Sequence, residues 1–146
     1  MTDRRYTLEE MQDRFAIIDL YDRQLAAAEA FDLERYDTTF AIDARVDLSD
    51  FGRTESSYRE YRAWLASLEG TMVAAQRIIG GLRLDLDGDH AKARVPVACH
   101  VEMRVDGERV LTHTGIFYND ALERREVGWR IVERVEERAW SSPSGS

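Results

Sequence analysis

Few residues in this chain have the type and spacing for chemistry. Three histidines, His90, His100 and His113, lack the spacing that gathers metal ligands. The single cysteine, Cys99, sits among valines with no pattern that would depress its pKa, so it is expected to be a buried, inert thiol. The carboxylate that stands out is Glu29. Met11, Phe15, Ile18, Tyr21 and Leu25 recur at spacings of three and four, the stripe of a helix lying on a core, and one further turn falls on Glu29. Either Glu29 points at the same apolar space as Leu25, where a carboxylate can serve as a general base, or it is exposed at the helix end.

Composition narrows the setting for such chemistry. The chain has 146 residues, 28 acidic and 20 basic, for a net charge of -8, and its cations are scattered through every segment. Binding to nucleic acid or to an anionic membrane is therefore not expected. There is no apolar run approaching the ~20 residues of a membrane span and no signal-peptide core, which predicts a cytoplasmic protein. The length suits one domain, expected over residues 1–140, followed by a disordered tail at 141–146.

Helices and strands must position the candidate residues. Thr7-Leu8-Glu9-Glu10 and Ser57-Tyr58-Arg59-Glu60 have the form of capping boxes. The first opens the helix bearing the stripe; the second opens a helix with Tyr58, Tyr61, Leu65 and Leu68 on one face, stopped by Gly70. Between them a short helix over 33–40 leads into a strand at 44–48. Beyond Gly70 the pattern changes to period two. Leu82, Leu84 and Leu86 alternate before the turn Asp87-Gly88-Asp89, and Ala91 through Met103 alternate after it, a strong hairpin signal. Val110–Asn119 and Trp129–Trp140 complete four long antiparallel strands. The predicted class is α+β, a strongly bent, mostly antiparallel sheet covered by three N-terminal helices, with a pocket between them.

The order of elements, and several short matches within it, resemble the nuclear transport factor two-like superfamily, in particular SnoaL-like and scytalone dehydratase-like proteins. Gln76-Arg77-Ile78-Ile79-Gly80-Gly81 resembles a Gln-His-x-Ile-Gly-Gly stretch of scytalone dehydratase. Arg45-Val46-Asp47 with Phe51 resembles that enzyme's Arg-Ile-Asp and following Phe. Thr114-Gly115 through Gly128-Trp129-Arg130-Ile131 resembles the last hairpin of SnoaL-like proteins, and Ile18-Asp19-Leu20-Tyr21 with Gln24-Leu25 is similar to the first helix of hexachlorocyclohexane dehydrochlorinase.

The resemblance implies catalysis without metal or organic cofactor, by an Asp and a His inside a cone. It places the acid on Glu29 and the histidine on Arg77, which cannot act as a base because guanidinium stays protonated. A second family histidine falls on His100, an arginine lining the dehydrochlorinase pocket falls on Arg134, and two water-positioning tyrosines are replaced by Ala28 and Leu48. Strand phase puts His100 opposite Val97, Cys99 and Val101, and Arg77 opposite Leu82 and Leu84. Both would then face outward, unless a bulge at Gly80-Gly81 re-aims Arg77.

The expected function is a dehydratase, isomerase or cyclase acting on a hydrophobic, oxygenated small molecule. Glu29, His100 and Arg77 would carry out the proton transfer, with Arg134, Tyr21, Leu48, Phe51 and Tyr118 around the substrate. The alternative is a non-catalytic ligand-binding or assembly module of the same fold. Either form is expected to be a homodimer or homotrimer.

Overall fold

The computed structural model describes residues 2–142. Both capping boxes form: Thr7 opens α1 (Leu8–Glu29) and Ser57 opens α3 (Tyr58–Ser67), each exchanging two hydrogen bonds with the glutamate three residues on. α2 (Leu33–Asp37) is shorter than expected, because Phe40 already belongs to β1 (Phe40–Asp47). β2 (Ser56–Ser57), β3 (Met72–Ile79), β4 (Arg83–Asp87), β5 (His90–Val105), β6 (Glu108–Arg125) and β7 (Gly128–Ser141) follow.

All seven strands join one strongly curved, open sheet in the order β2-β1-β7-β6-β5-β3, with β4 also on β5. The pairings are antiparallel except for β1 on β7, which is parallel. The expected hairpin at Asp87-Gly88-Asp89 joins β4 to β5, with Asp87 paired to His90, and the β5–β6 turn has Asp106 and Gly107 both at positive φ, 49° and 82°, as a type I′ turn requires. Ser141 ends β7 and the Ser142 N–H donates to the His113 carbonyl at 2.9 Å, so these two residues of the expected tail belong to the sheet; residues 143–146 lie outside the described residues.

Single-residue offsets set which face each strand shows the helices. Between the pairs Ile79↔Val97 and Arg83↔Arg94, three residues of the first edge oppose two of β5, a bulge over Gly80–Leu82. Between Ala121↔Glu133 and Leu122↔Ile131, β7 carries Val132 as an extra residue. From Ala75 to Ile79 the odd-numbered residues point inward, and beyond the first bulge Leu84 and Leu86 do. Past the second, Arg134 and Glu136 turn inward in place of Glu133 and Val135.

The core contact of α1 differs from the expected stripe. Ile17, Leu20, Tyr21, Gln24 and Ala27 are buried, while Met11, Phe15 and Ile18 lie on the exposed side. The helix is rotated because Asp13 turns inward, where it accepts from Arg124 (2.7 Å) and the Trp129 indole (3.0 Å).

Beneath the helices a buried ion pair crosses β6 and β7. Arg134 donates from Nε and Nη2 to the two oxygens of Asp120 (2.9 and 2.7 Å), and the Tyr21 hydroxyl donates to the same carboxylate at 2.6 Å. Both side chains are fully buried. Breaking one partner of such a pair strands the other charge in a low dielectric. Arg134→Met should therefore lower the unfolding free energy in urea by about 3–5 kcal/mol, and adding Asp120→Leu should recover part of that loss. Equal costs for the single and double variants would show that the pair is not the source.

Candidate functional site

A cavity of about 380 Å³ opens between the inner face of the sheet and α1, α2 and α3. Its walls are largely apolar. Leu25, Ala28 and Phe31 come from α1 and the turn after it; Trp64, Leu65 and Leu68 come from α3 and its end; Met72, Val101 and Met103 come from the sheet. This size and lining suit a small hydrophobic molecule.

The polar groups in the cavity are few and specific. Arg77 enters from β3, and its Nη1 is buried without a hydrogen-bond partner among the described residues. Glu136 enters from β7 and makes neither hydrogen bond nor ion pair among the described residues; burial raises its pKa, nearby Asp120 adds to the rise, and Arg134 and Arg77 oppose it. The Tyr36 and Tyr61 hydroxyls lie 3.2 Å apart, one donating to the other. Gln24 donates from Nε2 to Thr39 at 2.8 Å and leaves its buried Oε1 without a partner among the described residues. Cys99 stands beside Arg77, but burial pushes its thiol up, so it is a poor nucleophile.

Arg134 forms the floor beneath this group. Its guanidinium lies 3.6 Å from the centre of the Tyr118 ring, and Tyr118 in turn lines the cavity. Arg134 itself does not reach the cavity wall, and neither does Tyr21, whose hydroxyl is held by Asp120.

The residues singled out by the sequence are therefore distributed unevenly. Arg77, Leu48, Phe51 and Tyr118 line the cavity. Glu29 does not: it is exposed at the last turn of α1, where Oε1 accepts the backbone N–H of Arg77 at 2.8 Å. His100 lies on the outer face, directly opposite His113, with the two Nδ1 atoms 2.7 Å apart. Glu29, Arg77 and His100 thus share no cavity, because α1 ends at Glu29 and β5 keeps strict alternation through His100.

Glu136 was missed because simple alternation from Trp129 and Ile131 sends it outward; only the extra residue at Val132 reverses the phase. One signal pointed to it. Arg134 matched a pocket position by resemblance, and Glu136, two residues on, must share its face.

A family model described as a SnoaL-like domain matches residues 9–135. The chain is 29% identical over 131 residues to the uncharacterized protein Rv2910c of Mycobacterium tuberculosis, covering 89% of this chain and 88% of that one. Among solved structures, the Kfla4162 protein from Kribbella flavida superposes with a TM-score of 0.82 at 20% identity, covering 92% of this chain and 96% of the other. The hexachlorocyclohexane dehydrochlorinase LinA Type2 superposes with a TM-score of 0.80 at 22% identity, covering 93% and 91%. No helix among the described residues is long and apolar enough to cross a membrane.

Arg77 and Glu29 can be separated by a binding measurement. The fluorescent anion anilinonaphthalene sulfonate should bind Arg77→Met about 10- to 100-fold more weakly than the parent, the worth of one charged hydrogen bond. Glu29→Gln, which keeps an oxygen for the Arg77 amide, should bind it like the parent. Equal binding by all three proteins would remove Arg77 from the site.

Proposed function

Because the chain belongs to the SnoaL-like domain family, we propose that it is a small-molecule enzyme of the dehydratase, isomerase or cyclase kind, acting by proton transfer on a hydrophobic, oxygenated compound. The observation that carries this reading is the pairing of Glu136 and Arg77 in one apolar cavity, a carboxyl and a guanidinium that do not neutralise each other by an ion pair. A carboxylate with a raised pKa is a stronger base than an ordinary glutamate, and it abstracts a proton adjacent to a carbonyl or leaving group. The charge that develops on the substrate oxygen is met by Arg77, already desolvated and always protonated. The Tyr36 and Tyr61 hydroxyls, 3.2 Å apart, supply a second polar contact to fix the substrate's orientation. Glu136 then returns the proton, to the departing group in an elimination or to another carbon in an isomerisation.

The expected homo-oligomer belongs to the same proposal. Ile78, Ala98 and Trp140 form a row across the outer sheet face, with Ile78 and Trp140 about half exposed, which supports contact between copies there.

The raised pKa of Glu136 gives activity and stability opposite responses. The base form is the ionised one, so turnover should rise with pH through the raised value. The folded protein holds this proton more tightly than the unfolded chain, so the stability tied to it is complete at low pH and is lost as pH rises through the folded value. Glu136→Gln removes that loss and should melt no lower than the parent at neutral pH. Below about pH 4, where both states are protonated, the two proteins should melt together.

The catalytic test is deuterium exchange at the α-carbon of cyclic enolisable ketones, followed by NMR. Glu136→Gln should slow exchange by about 100-fold or more, the usual worth of general base catalysis. Exchange that persists in Glu136→Gln would remove it as the base. Ligand binding that depends on Arg77, with no exchange even in the parent, would favour the non-catalytic binding module.

A further inference from the structure

Helix α1 carries apolar residues on two opposite faces. The inner face, Ile17, Leu20, Tyr21, Gln24 and Ala27, is buried on the sheet. The outer face shows Leu8, Met11, Phe15 and Ile18, which are 69%, 41%, 66% and 37% exposed. Their steps are three, four and three, the a and d positions of a coiled-coil seam. The helix is already held by its cap and by its inner face, so a partner would not have to fold it.

We propose that α1 packs against α1 of a second copy of this chain, antiparallel about a two-fold axis, with Leu8 against the partner's Ile18 and Met11 against the partner's Phe15. Among two-fold antiparallel registers this one uses all four seam residues in two repeated layers. Charge sets the direction. Asp22 continues the seam four residues beyond Ile18 and Asp19 flanks it; neither forms an ion pair among the described residues. A parallel pair would put Asp22 against the partner's Asp22. The antiparallel pair instead brings Asp19 and Asp22 to the positive, N-terminal end of the other helix, near Arg5, which also forms no ion pair among the described residues. The acids already at that end are engaged: Glu10 accepts the Thr7 N–H at 2.8 Å, and Glu9 meets Arg124 at 3.4 Å. An anionic lipid surface suits the seam poorly, since carboxylates border it and the chain carries a net charge of -8.

Sedimentation of the full chain tests the proposal. Phe15→Glu should halve the mass of the parent assembly with unchanged circular dichroism, because Phe15 makes no core contact. A parent that is monomeric at submillimolar concentration, or a Phe15→Glu assembly of unchanged mass, would overturn it. Direction is tested by oxidising Leu8→Cys and Ile18→Cys variants in a Cys99→Ala background. A disulfide should form in the mixture and in neither variant alone; a disulfide in Leu8→Cys alone would overturn the antiparallel arrangement.

Discussion

Strict alternation along a strand is the constraint on which this site depends, together with two of the places where it is broken. A residue in β5 or β6 has no choice of face, so Cys99, Thr114 and Tyr118 follow from their neighbours. The extra residues over Gly80–Leu82 and at Val132 each reverse the phase of an adjoining segment. One of them lets Arg77 point inward although Leu84 does so too. The other turns Arg134 and Glu136 away from solvent. Without them the cavity would be a greasy pocket with five hydroxyls and no charge.

The second determinant is the way charge is arranged below the cavity. Arg134 and Asp120 largely cancel, so Glu136 feels a buried neighbourhood more than a nearby cation. The arrangement holds its carboxyl above the ordinary range while keeping it within reach of Arg77. Had Arg134 paired with Glu136 in place of Asp120, the carboxyl would have been driven down and made a weak base. The Tyr21 hydroxyl strengthens this division by committing the Asp120 carboxylate to a third donor.

Much of the architecture was legible in the sequence, because caps, turns and alternation are local. Thr7, Ser57 and Asp106-Gly107 act as their residue types dictate, and the long strands follow their period. What was not legible depends on long-range geometry. The outer stripe of α1 has the spacing of a core face, yet Asp13 is drawn inward by Arg124 and Trp129 from strands more than 100 residues away. Arg77, put at a site position by resemblance, lines the cavity, but its direction depended on a bulge. Glu29 matched a catalytic position only by counting, and helix end geometry put it outside. Glu136 had no signal of its own beyond its distance from Arg134.

The hydrogen bond from the Arg77 amide to Glu29 has a meaning apart from the pocket. β3 is the last strand of the sheet on its side, and its outward amides form a raw edge on which a foreign strand could build. Glu29 occupies the amide of Arg77 at 2.8 Å and sets a carboxylate beside that edge. An incoming strand would have to displace a charged acceptor and bring its own carbonyls up against negative charge. The glutamate that resembles a catalytic acid thus caps an amide on the open edge of the sheet with a charged acceptor.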